Sequence, residues 1–168
     1  EPITISVLDE LSGFGYLMLH GNGISRAHWQ RDRNIDYGTL VDDYKKAYST
    51  PAVIRVGDQW QLISPSAVET IAYNPDTGDE LWRLRHDGMN AAARPLYEDG
   101  LVYISAGRGN THLLAMRPDG QGDISATAIE WSTGQSVPNR SSQLIVDGRL
   151  FMIDDDGVAS CLDAKTGK

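Results

Sequence analysis

Ala72-Tyr73-Asn74-Pro75-Asp76-Thr77-Gly78-Asp79-Glu80-Leu81-Trp82 occurs again, in altered form, twice further along the chain. It returns as Ala115-Met116-Arg117-Pro118-Asp119-Gly120, leading on to Trp131, and then as Cys161-Leu162-Asp163-Ala164-Lys165-Thr166-Gly167-Lys168. From 72 to 115 and from 115 to 161 the copies start 43 and 46 residues apart. In the middle copy 16 positions, rather than 10, separate the alanine from the tryptophan. Self-similarity at that period, carried by short strands and tight turns, predicts an all-β array of propeller blades.

The segments around each copy support that reading. Ala52 to Val56, Trp60 to Ser64, Thr70 to Tyr73, Leu101 to Ala106, His112 to Met116, Leu144 to Val146 and Leu150 to Ile153 are short, alternating and rich in β-branched residues. Turn signals bound them, among them Asp99-Gly100, Asp147-Gly148 and Asp156-Gly157. Asp-Gly between apolar runs marks a hairpin, because glycine accepts the positive φ that a twisted two-residue turn requires. Stacked, the copies give an entry segment, three strands, a Thr-Gly turn and a fourth strand carrying Trp82 or Trp131.

One partial propeller domain over 1–168 is therefore expected, with three to four blades of four antiparallel strands. The blades fall at about 1–48 (incomplete), 49–84, 92–133 and 140–168 (cut short). Helical pattern is confined to Leu40–Tyr48. A propeller closes about four to eight blades into a ring, so the expectation is a piece of a longer protein. Unpaired blade edges would then invite self-association.

Composition narrows the function classes. The chain has 168 residues, 40% hydrophobic and 23% charged, with a net charge of −8. That charge opposes phosphate backbones, and the one adjacent lysine pair, Lys45-Lys46, follows Asp42-Asp43; nucleic acid is excluded as a partner. No apolar stretch is long enough for a transmembrane helix. The first ten residues lack a signal peptide's basic start and apolar run, so an export signal is expected to have been removed or to lie outside this sequence. The single cysteine, Cys161, forbids an internal disulfide, and its place in a strand pattern predicts a buried thiol.

The pattern Ala-x-Asp-x-x-Thr-Gly-x-x-x-Trp resembles the repeat of the pyrroloquinoline-quinone-like (quinoprotein-like) β-propellers. It is matched at Ala72, Thr77, Gly78 and Trp82, with Asn74 in the acidic place. Asp163, Thr166 and Gly167 match it again, with Cys161 replacing the alanine, while the middle copy keeps Ala115 and Trp131. The resemblance implies that the tryptophans dock one blade on the next. It also implies an exported bacterial protein, periplasmic or envelope-associated. Two functions follow from it: a non-catalytic scaffold or binding module for a protein, peptide or glycan partner, without cofactor, or a piece of a quinone-dependent alcohol or sugar dehydrogenase holding pyrroloquinoline quinone with calcium. Many such dehydrogenases use an adjacent cysteine pair, which one cysteine cannot supply, and no Asp here is placeable as their catalytic base.

Other motifs yield little chemistry. His20, His28, His86 and His112 stand at no zinc-ligand spacing. Asp154-Asp155-Asp156-Gly157 lacks the alternation and the later glutamate of a calcium loop and is expected to be a hairpin turn. Gly107-Arg108-Gly109 precedes no helix that could hold a phosphate. The remaining candidates lie on the connections Arg31–Thr50, Leu84–Arg94 and Ser132–Ser142, which a propeller gathers on one face. Arg33, Asp36, Tyr37, His86, Asp87, Asn90, Arg94, Asn139 and Arg140 are the expected partner-facing residues there.

Overall fold

Short strands broken by glycine turns force the chain to return on itself every few residues, and antiparallel ladders follow. The computed structural model describes residues 48–66, 68–86, 88, 92–107 and 111–168; the incomplete first blade expected at 1–48 lies, but for Tyr48, outside them. The described residues form three sheets.

The first contains β1 (Ala52–Val56), β2 (Gln59–Pro65), β3 (Glu69–Tyr73) and β4 (Glu80–Arg85), hydrogen-bonded in that order. The second contains β5 (Leu96–Glu98), β6 (Leu101–Ser105), β7 (Leu113–Met116) and β9 (Ile129–Thr133). β10 (Leu144–Val146), β11 (Arg149–Ile153) and β12 (Ala159–Asp163) form the third. All of these neighbours pair antiparallel. Asp99 and Asp147 take positive φ (48° and 50°) ahead of Gly100 and Gly148, as the predicted two-residue hairpins demand.

The middle copy departs from the expected pattern. Its six extra residues do not simply lengthen a turn. They form β8 (Gly122–Asp123), which pairs parallel with β4 of the preceding sheet, Trp82 opposite Gly122 and Arg83 opposite Asp123. The first sheet therefore has five strands, not four, because backbone from the second covers its outer edge.

Alternation along each strand gives every sheet two apolar faces, and the core lies between sheets. Ala52, Ile54, Ile63, Ala72, Trp82 and Leu84 of the first sheet pack on Val102, Ile104, Leu114 and Met116 of the second. The opposite face of the second sheet, with Tyr103, Leu113 and Ala115, packs on Leu150 and Met152 of the third. The same register positions thus serve twice, which is how a radial array repeats.

The third sheet corrects one expectation. Cys161 is exposed, not buried. It pairs with Phe151 and occupies the register position of Ala72 and Ala115. Those alanines are buried because a following sheet covers them. No described residue covers the face bearing Phe151, Ile153 and Cys161, and Phe151 is 43% exposed.

Candidate functional site

Two ends of the array do different work. One end holds the first-to-second and third-to-fourth strand turns, and it is built for docking. Asn74 Oδ1 accepts from the amides of Asp76 (2.9 Å) and Thr77 (3.3 Å), and Gly78 N donates to Asn74 O (2.8 Å) at φ +76°. The last copy repeats the device: Asp163 Oδ1 accepts from Thr166 N and Thr166 Oγ1, both at 2.9 Å, and Gly167 takes φ +71°. Those donated bonds hold the Asp163 carboxyl below its usual pKa. Asn74 caps its turn as Asp163 does, since a side-chain oxygen is all the geometry needs.

The tryptophans then join sheets. In both β4 and β9 the ladder slips by one residue just before the indole, between Ala72/Tyr73 and between Ala115/Met116. Such a bulge re-aims a side chain. Trp131 lies on the next sheet's bend so closely that a Cβ on Gly167 would sit 2.7 Å from its ring, and its Nε1 donates to Ala164 O at 3.0 Å. Tyr103 Oη donates to the same carbonyl at 3.1 Å, and burial above all, with Glu98, Asp99 and Asp163 nearby, pushes its pKa up to about 12.

Trp82 solves the problem differently. Its Nε1 donates to Gln61 Oε1 (2.9 Å), and Gln61 Nε2 donates to Pro118 O (3.1 Å). Pro118 is the register equivalent of Ala164. The same carbonyl is reached, once directly and once through an amide relay. Sequence reading missed Gln61 and Tyr103, since neither belongs to the repeated phrase.

The other end gathers the second-to-third loops and the connections between sheets, where the partner-facing residues were expected. Arg33, Asp36, Tyr37, Asp87 and Asn90 lie outside the described residues. Of the rest, Arg94 and Arg140 are exposed and Asn139 is half-buried. Arg94 N donates to Ser142 Oγ at 3.0 Å, tying the entries of the second and third sheets together. Thr111 Oγ1 donates to Asn139 Oδ1 (2.5 Å), and Asn139 Nδ2 donates to Asp155 Oδ2, so one polar chain crosses from the second sheet to the third. Below it Ser105 Oγ donates to Pro138 O at 3.2 Å. Asp155 belongs to the tight turn expected at 154–157, which Asp154 Oδ1 caps by accepting from Asp156 N and Val158 N.

His86 is not displayed on this face. It is 6% exposed, with Nε2 3.0 Å from Thr70 Oγ1 and its amide donating to Val68 O. His86 continues the inward-facing positions of β4 after Trp82 and Leu84, and Gly88 beyond it lies against the next sheet: a Cβ there would fall 1.9 Å from Ala106 O. Burial, and then the nearby His112, depress the His86 pKa to about 4, so the ring is neutral near pH 7. Among the described residues no three His, Cys, Asp or Glu side chains are placed to hold a metal.

A sequence profile described as outer membrane protein assembly factor BamB matches residues 20–168. The chain belongs to that family of PQQ-like β-propellers. No curated protein matches the chain in sequence. Among solved structures it is similar to quinohemoprotein alcohol dehydrogenase from Comamonas testosteroni, at 15% identity and a TM-score of 0.53 over 74% of this chain and 20% of that one. BamB from Moraxella catarrhalis matches at 16% identity and 0.46, over 73% of this chain and 34% of that. The computationally designed Ika4 protein matches at 11% and 0.47, over 68% and 66%. The chain spans about a fifth of the dehydrogenase and a third of the Moraxella protein. Likeness at this identity concerns the fold, an all-β partial propeller.

Proposed function

We propose that the chain is a non-catalytic binding scaffold of the bacterial envelope, without a cofactor, whose partner is a protein met at the face of the inter-sheet connections. The observation that carries this reading is the seating of that face. Arg94 and Arg140 are exposed on connections held from beneath by Ser142, Asn139, Asp155 and Ser105. Loops fixed on a rigid scaffold present side chains at little ordering cost, which favours recognition. Membership of a family described by outer membrane protein assembly supports a protein partner and a periplasmic setting.

Photo-crosslinking tests the face. A crosslinker at Arg140 in envelope preparations should capture a defined protein partner, whereas one at Asp58, in the turn of the opposite end, should not. Arg140→Glu should abolish the capture by a crosslinker at Arg94. Equal capture from both ends defeats the reading. So does stoichiometric binding of pyrroloquinoline quinone with calcium, accompanied by dye-linked alcohol oxidation.

A further inference from the structure

We propose that residues 119–128 act as a strap that makes the first two sheets open and close as one unit, leaving the joint between the second and third sheets as the place where the array yields. The proposal does not depend on the binding reading.

In the first and last copies the bend between third and fourth strands closes on itself, Asn74 N donating to Asp79 O at 2.8 Å and Asp163 N to Lys168 O at 2.6 Å. The middle copy makes the same closure, Arg117 N donating to Ala128 O at 2.9 Å, but around a longer loop that carries its extra residues outward. After Gly122, at φ +67° with open space around it, the backbone lies along β4. Ile124 N donates to Arg83 O at 2.9 Å, and Arg85 N donates to Ser125 Oγ at 2.8 Å. Arg85 Nε stands 3.6 Å from Asp123 Oδ2, and Asp123 Oδ1 in turn accepts from Ser125 N at 3.1 Å. These contacts satisfy edge groups of β4 that would otherwise face water.

The strap is also anchored in the core. Ile124 and Ala128 are buried in the cluster that contains Trp82, and Ile124 Cγ2 fills the space where a Cβ on Gly120 would lie, 2.5 Å away. Separating the first two sheets therefore breaks a backbone ladder and uncovers both Trp82 and Ile124. The second joint is held differently. Trp131 is only partly buried, and among the described residues the bonds across that joint use a side chain on one side or both. Among the described residues no backbone ladder crosses it.

Amide hydrogen exchange resolves such openings by segment. Under native conditions the slowest amides of β4 and β7 should share one rate, with those of β11 and β12 at least about tenfold faster. Ser125→Ala removes the acceptor for Arg85 N and should speed exchange in β4 about fivefold, the effect of one net hydrogen bond, with β11 and β12 unchanged. Thr166→Ala, in the last bend, should do the reverse. The proposal fails if β4 and β7 of the wild-type chain exchange at separate rates, or if Ser125→Ala accelerates β12 as much as β4.

Discussion

Gly167→Ala tests whether the indole of one sheet truly rests on the bend of the next. Two costs are expected and they are separable. The first is conformational: Gly167 has φ +71°, where an L-residue loses about 1–2 kcal/mol. The second is steric, because the new methyl would lie 2.7 Å from Cδ2 and Cε3 of Trp131. Displacing a packed ring costs about 1–3 kcal/mol. Gly148→Ala supplies the control, since Gly148 has the same φ of +71° with nothing within 4 Å of a Cβ. Urea unfolding followed by circular dichroism should show about 1–2 kcal/mol lost at 148 and about 2–5 kcal/mol at 167. In a Trp131→Leu background the excess at 167 should disappear, leaving the conformational cost alone. Equal losses at the two glycines, or an excess that survives removal of the indole, would refute the docking geometry.

Trp82 offers a second measurement. Trp82→Ala should cost about 3–5 kcal/mol as a large core truncation, whereas Trp82→Phe keeps most of the burial but orphans Gln61 Oε1, costing about 1–3 kcal/mol beyond the lost volume. Urea denaturation of both variants reads these values, and a Phe variant as stable as the parent would remove the relay from the argument. His86 sets an acid limit. Its folded pKa of about 4 lies below the ordinary 6.5, so the unfolded chain binds the proton first. Stability is then full above pH 6.5 and falls as pH drops from 6.5 to about 4, by about 3 kcal/mol in all. Unfolding titrations at pH 7, 5.5 and 4.5 check this, and His86→Gln should flatten the part above pH 5, where most carboxylates stay ionised.

Most of the strand boundaries were legible because their signals are local. Alternating apolar residues between Asp-Gly turns need no knowledge of what lies across the sheet. The bend at Thr77-Gly78 and its copy at Thr166-Gly167 were legible for the same reason, since a side-chain cap and a positive φ are decided within five residues. β8 was not. Gly122 and Asp123 look like any polar loop, and they become a strand only because β4 of another sheet offers them an edge. Gln61 was invisible too, because a glutamine in an alternating strand reads as solvent-facing. Its burial follows from an indole on one side and the Pro118 carbonyl on the other.

The expected site fared by the same rule. Arg94, Asn139 and Arg140 fall on connections that topology sends to one end, and the order of strands alone implies that. His86 was expected on such a connection and yet is buried, because it extends the inward-facing alternation of Trp82 and Leu84 one step past β4. Cys161 went the other way, exposed where the repeat position predicts burial, since burial there depends on whether another sheet lies over it.

The order of residues by itself determined the repeat, its all-β character and its caps, through interactions a few residues long. Tertiary structure alone decided which carbonyl each indole reaches, which polar side chains go inside and where the extra residues of the middle copy attach. Those outcomes depend on surfaces some 40 residues apart in sequence, and a pattern of period two or an Asp-Gly turn carries no information about them.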